Sequence, residues 1–287
     1  MQMTDLIRQL LVGISSGMVT FLMAAGVSLV ISGMNIINFG QGAFFILGAF
    51  ICFSAARILG FWWALLFGPV IVGALGGATE MLLRPLYGKN MLYQLLLTMG
   101  VAFLVTDGMT AVWGYSMRVV IVPHLLSSSF SLLGIDFPVY YVFIIGVSGL
   151  VALGLRLMFD RTRLGMLFRA IISDREMVES LGVNVRMLYT VMFMFGVGLS
   201  GMAGVLMAPI MGIAVQQSMT IMFSVMTVLI IGGISSMSGA LYAALIVGLV
   251  NAFGSMFLPW FYSLIPAILM IVVLLVRPQG LFAPKES

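Results

Sequence analysis

Three amides, Asn35, Asn38 and Gln41, crowd into one otherwise apolar stretch, M34-N-I-I-N-F-G-Q-G-A-F-F45. An amide taken out of water without a partner costs several kcal/mol, so these side chains must face protein, water or a solute. They could grip a small polar molecule, or they could fix a bend between helices by hydrogen bonding; residue type alone leaves both readings open. A second polar, glycine-rich break, I231-G-G-I-S-S-M-S-G-A240, lies in the other half of the chain. Interrupted apolar segments in corresponding halves mark the solute path in several transporter folds. Asn35, Asn38, Gln41, Gly42, Gly232, Gly233 and Ser235 are therefore the candidates to line one, with hydrogen bonding between helices the slightly favoured role for the amides.

A third polar region, residues 160–186, carries a helix signal. Ser173 followed by Glu176 predicts a capping box, in which the hydroxyl meets an orphan helix N–H and the carboxylate reaches back. Asp174 and Glu176 suit the positive end of that helix, and Gly182 is a natural residue just past its C-terminus. The predicted helix is about eight residues, roughly 12 Å, long. Met177, Val178 and Leu181 share one face of it. Such a short amphipathic helix fits either lipid headgroups or a groove on a partner protein.

Other chemistry is sparsely provided for. The single cysteine, Cys52, excludes an internal disulfide, and the single histidine, His124, is expected in a loop. The 25 methionines are scattered through apolar runs and read as packing material, so no metal site is expected. Gly88-Lys89 lacks both the preceding glycine and the following hydroxyl residue of a phosphate loop, so no ATP site is expected in this chain. Glu80 is spaced to pair with Arg84 across one helical turn. Ionisable groups in apolar segments are functional candidates by default, but Asp107 falls near the external end of its segment, where water access lowers its cost, and is not expected to be a substrate ligand.

The elements that must position these residues follow from composition. Of the 287 residues 62% are hydrophobic and 8% charged, against roughly 25% charged in soluble domains. Apolar runs of the ~20 residues that cross a bilayer core occur repeatedly, and continuous backbone pairing in lipid requires them to be helices. The expected fold is all-α, a polytopic inner-membrane bundle of eight or nine spans with glycine-broken helices in both halves. The predicted spans are 6–32, 42–58, 61–83, 91–113, 138–159, 187–209, 219–232, 239–257 and 260–276, with 219–232 short for a full crossing. The N-terminal run lacks a basic start and a small-residue cleavage site and is read as a retained span.

Arg156, Arg161, Arg163, Arg169, Arg175 and Arg186 crowd into 156–186, with Arg84 and Lys89 in a second segment and Arg277 and Lys285 in the tail. The excess of basic residues in cytoplasmic loops puts all three on the cytoplasmic side, which an odd number of crossings from an external N-terminus satisfies. Residues 114–137 then form the largest external loop. The whole of 1–287 reads as one membrane domain, with 160–186 as its cytoplasmic loop. Gly196, Ser200, Gly204 and Ala208 lie on one helix face, as do Gly73 and Gly77, a pattern that lets helix backbones approach closely.

Taken with their order, three motifs resemble the permease subunits of bacterial ATP-binding-cassette importers for branched-chain amino acids, the H-type subunit above all, with urea-type permeases as near relatives. They are N35-I-I-N-F-G-Q-G42, R169-A-I-I-S-D-R-E-M-V-E-S-L-G-V-N184 and I231-G-G-I-S-S-M-S-G-A240. The chain departs from the pattern in carrying Gln41 where such relatives often have histidine, and Glu179 where many have a small residue. The resemblance implies a conduit rather than an enzyme. It would work with a second permease subunit, identical or homologous, two cytoplasmic ATPases that use the ATP, and a periplasmic substrate-binding protein, and with no nucleic acid. It also implies that Ser173, Asp174, Glu176, Met177, Val178, Leu181 and Gly182 form the helix through which the ATPases act, and it favours branched-chain or other hydrophobic amino acids as solute. Urea or a small amide is the nearest rival, and an ion-coupled transporter or a channel is the alternative mechanism.

Overall fold

The computed structural model describes residues 3–132, 135–234, 236–261 and 264–282. Ser235, a candidate residue of the second break, lies outside these residues. Helices α1 (Met3–Met34), α2 (Gln41–Ile58), α3 (Phe61–Leu83) and α4 (Met91–Trp113) are followed by a hairpin of β1 (Ser129–Leu132) and β2 (Ile135–Pro138). Then come α5 (Val139–Arg161), α6 (Arg163–Ser173), α7 (Arg175–Ser180), α8 (Val185–Met207), α9 (Gln217–Gly232), α10 (Met237–Phe257) and α11 (Ile265–Val276). Seven of these, α1 to α5, α8 and α10, are long and apolar enough to cross a membrane. The 16 residues of α9 and 12 of α11 reach only about 24 and 18 Å at 1.5 Å per residue, so α11 is shorter than the 260–276 expected of it. The hairpin, paired Ser129 to Pro138, adds a small strand element to the region predicted as plain loop.

Contacts with α8 show that the helices alternate in direction. Gly26 lies against Gly196 and Gly33 against Met192, so α1 runs opposite to α8. Gln41 reaches Gly196 and Gly48 meets Gly201, so α2 runs with it. In α3, Gly68 sits by Val205 and Gly77 by Met194, again opposed. Two of the basic segments consequently meet at one end of the bundle, where Arg84 donates to Thr190 and Arg175 lies over the Tyr189 ring.

The small-residue faces do the packing predicted of them, and α8 is the hub. A Cβ on Gly204 would come within 1.9 Å of the Phe45 carbonyl oxygen, one on Gly48 within 2.2 Å of the Gly201 oxygen, and one on Gly26 within 2.2 Å of the Gly196 oxygen. Backbone therefore touches backbone between α8 and both α1 and α2. Gly73 and Gly77 admit Met194 of α8 to α3 in the same way. In lipid, where apolar tails leave little hydrophobic drive between helices, such close contact supplies the attraction.

Candidate functional site

The first break is built around Asn35. Its φ of 53° is the one positive value at a non-glycine residue among those described, and its N–H still bonds the Ile31 carbonyl at 2.8 Å. Asparagine tolerates this left-handed geometry, so α1 stops here and the chain turns back. The Asn35 side chain is exposed and borders a cavity of about 440 Å³ shared with Lys89, Gln94, Ser173, Arg175 and Tyr189. A residue of the first break and a residue of the 160–186 loop thus face the same space.

Asn38 and Gln41 behave differently. Both are fully buried, and their amides form an internal chain. The Asn38 Oδ1 accepts from the Gly40 N–H at 2.9 Å, its Nδ2 donates to Gln41 Oε1 at 2.9 Å, and Gln41 Nε2 donates to the Gly196 carbonyl at 2.9 Å. These bonds hold the bend and tie it to α8. On the α4 side the Thr98 hydroxyl lies 3.3 Å from the Ile37 carbonyl and 3.4 Å from the Phe39 N–H. Gly42 lets α2 close on α9, since a Cβ there would come 2.1 Å from the Ser218 oxygen.

The second break is joined to the first through α1. The Ser28 hydroxyl donates to the Ile234 carbonyl at 2.8 Å. Gly232 and Gly239 press together, each leaving room only for the other's backbone, and Gly233 adopts a φ of 95°. Ser236 caps α10 by accepting from the Gly239 N–H. The Leu281 N–H bonds the Ile231 carbonyl at 2.8 Å, so the segment after α11 clasps the end of α9.

In the 160–186 loop the structure corrects the expected cap. Asp174, not Ser173, is the N-cap of α7, its carboxylate accepting from the Met177 N–H at 3.0 Å. Ser173 remains helical as the last residue of α6, an amphipathic helix that is not among the predicted elements and buries Phe168 and Ile171. The helix α7 therefore has six residues rather than about eight. Glu176 stands in its first turn, and Gly182 follows it with a φ of 78°, the left-handed position expected of it. The predicted apolar face is split. Val178 is buried among Phe168, Val185, Leu188 and Met192, whereas Met177 and Leu181 are 62% and 72% exposed.

The Glu80–Arg84 pair is present at 3.2 Å, and it belongs to a wider cluster. The buried Glu80 carboxylate also accepts from the Thr190 hydroxyl at 2.7 Å and from the Tyr87 hydroxyl. Burial first, and the bond to Glu80 second, push the Tyr87 phenol well above its ordinary range. Tyr87 stacks edge-on against Tyr189, whose ring carries Arg175, the first residue of α7. Side chains from α3, the 84–87 turn, α8 and α7 are so linked in one chain. Thr190 and Tyr189 carry no sequence signal that marks them for this role.

The structure is thus a bundle of apolar helices with two interrupted segments and a pair of short helices, α6 and α7, between α5 and α8. The chain belongs to the family described as branched-chain amino acid transport system / permease component, whose profile matches residues 9–274. It is 27% identical to the high-affinity branched-chain amino acid transport system permease protein BraD of Pseudomonas aeruginosa, over 98% of this chain and 96% of BraD. It is 27% identical to the probable branched-chain amino acid transport permease protein LivH of Methanocaldococcus jannaschii, over 91% and 87%, and 26% identical to the LivH permease of Escherichia coli, over 98% and 96%. Among solved structures, PsaBC from Streptococcus pneumoniae in complex with Fab superposes with a TM-score of 0.52 at 12% identity, covering 93% of this chain and 91% of that one, a likeness of fold.

Proposed function

We propose that this chain is the permease subunit of an ATP-driven importer of the bacterial inner membrane, carrying branched-chain or other hydrophobic amino acids. It pairs with a second permease subunit, receives solute from an external binding protein, and is driven by two cytoplasmic ATPases that bind and hydrolyse the ATP; the chain itself holds no cofactor. The observation that carries the reading is the arrangement of α7. Val178 anchors it to α8, while Met177 and Leu181 are presented outward, the form of an apolar knob for a groove on a partner. A push on α7 reaches α8 through Val178 and through Arg175 on Tyr189, and reaches α3 through Tyr87 and Glu80.

The test is uptake and ATPase stimulation in proteoliposomes holding the complete importer. Substituting Glu176→Ala together with Leu181→Ala should abolish uptake and uncouple ATP hydrolysis from solute while the permease still inserts. Unchanged uptake and stimulation in the double variant would overturn the coupling role. Leucine and urea supplied through the cognate binding protein separate the favoured solute from its rival.

A further inference from the structure

Helices α1, α5, α6 and α10 border a cavity of about 600 Å³, within the ~300–1,000 Å³ typical of small-molecule sites. Its lining changes character along the bundle. Phe21 on α1, Ala152 on α5 and Leu241 on α10 make one part apolar, while Ser32, Ser238, Arg156 and Arg169 gather where α1 ends and α10 begins. From Phe21 to Ser32 the cavity follows α1 for about 16 Å, by the 1.5 Å rise. The polar part lies at the end that carries the basic 156–186 segment, the cytoplasmic end by its arginines.

That polar part is short of negative charge. Arg156 and Arg169 share one carboxylate, that of Asp160, at 3.8 and 3.5 Å, so one positive charge stays unmatched. Arg161 and Arg163, in the turn between α5 and α6, strengthen the field without bordering the cavity. Hydroxyl donors border the same space: among the described residues neither Ser32 nor Tyr242 has a hydrogen-bond partner for its side-chain oxygen. Beside the row of Ala152, Arg156 and Phe159 that lines the cavity, α5 exposes Leu150, Leu153 and Leu157 on an adjoining face. Such a face suits acyl chains, which are as apolar as leucine.

We propose that the cavity holds an anionic phospholipid of the cytoplasmic leaflet, its phosphate between Arg156 and Arg169 and one acyl chain along the apolar part toward Phe21. Basic pockets between membrane helices on that side bind such headgroups. The phosphate answers the charge that Asp160 leaves over, and Asp160 keeps the two guanidinium groups facing one another. A free phosphate would carry the same charge but leave the apolar part unfilled. Because α6 runs directly into α7, the lipid also braces that helix pair; this consequence rests on the coupling role proposed above, whereas the site itself does not.

Native mass spectrometry tests this on the complete importer, stripped of lipid and titrated with phosphatidylglycerol or with phosphatidylcholine of the same chains. The unaltered importer should retain phosphatidylglycerol with a preference of roughly fivefold or more, the effect of one unmatched arginine. Arg156→Gln with Arg169→Gln should abolish the preference; these side chains are 82% and 50% exposed, so the fold is spared. Arg161→Gln with Arg163→Gln, which removes equal charge outside the cavity, should keep it. A preference that survives the first double variant, or falls equally in both, would overturn the proposal. So would displacement of the lipid by millimolar inorganic phosphate, the result for a site that recognises phosphate alone. Retention is read without transport, so failure of the amino-acid importer reading leaves it standing, and loss of the site leaves that reading intact.

Discussion

Gln41 on α2 donates its side-chain amide to the carbonyl oxygen of Gly196 on α8 at 2.9 Å, in a place where neither group meets solvent. The same side chain accepts from Asn38, so one glutamine closes the first break and fixes it to the hub helix.

Replacing Gln41 by leucine removes both bonds and leaves the Asn38 Nδ2 buried without a partner, while the Gly196 oxygen keeps only its place in the α8 ladder. Such an orphan costs about 1–3 kcal/mol. The expected result is a clear drop in the thermal unfolding temperature of the purified permease. Gln41→Glu should not rescue it, because a carboxylate offers no donor to the Gly196 carbonyl. A melting curve that matches the unaltered protein for either variant would remove this bond from the account of the bend.

The glycines divide into two classes that substitution will tell apart. At Gly204 a methyl would overlap the Phe45 carbonyl at 1.9 Å, so the backbones of α2 and α8 must separate; overpacking of this kind costs about 1–3 kcal/mol. At Gly100 a methyl meets nothing in the subunit. Gly204→Ala should reduce the yield and melting temperature of the isolated permease, whereas Gly100→Ala should leave both unchanged. Equal effects at the two positions would contradict the packing described.

Tyr87 gives the alkaline end of stability a specific origin. Its folded-state pKa lies above the ordinary value of 10.0 because the phenol is buried and donates to Glu80. Its contribution is therefore complete below that value and is lost as pH rises toward the folded one, since only the unfolded chain ionises readily. Between about pH 9 and 11, Tyr87→Phe should flatten the decline of melting temperature with pH relative to the unaltered protein. Parallel curves would show that Glu80 and Tyr87 are not coupled in this way.

The sequence disclosed the long helices because uninterrupted apolar runs in lipid have no other way to pair their backbones. It disclosed the need of Asn38 and Gln41 for partners, since buried amides cannot go without, but not the partner itself: Gly196 lies 155 residues away from Gln41 and offers only a backbone carbonyl. The cap of α7 was misplaced by one residue for a local reason. Ser173 and Asp174 can each cap a helix, and the choice fell to Asp174 once α6, held down by Phe168 and Ile171, kept Ser173 helical. The Tyr87–Tyr189–Arg175 chain was invisible because aromatic rings near a membrane boundary have many uses, and only folding shows which ring meets which.

The central position of α8 also sets a timetable for biogenesis. Helices α1, α2 and α3 leave the ribosome with their glycine faces bare, and about 100 residues separate the end of α3 from the start of α8. At ~5–20 residues per second that is a delay on the order of ten seconds, during which three helices sit in the bilayer without the surface they are shaped to meet. Until then they must be shielded by lipid or by the insertion machinery, and α1 waits longer still, because Gly13 and Gly17 pack against α10, the seventh long apolar helix.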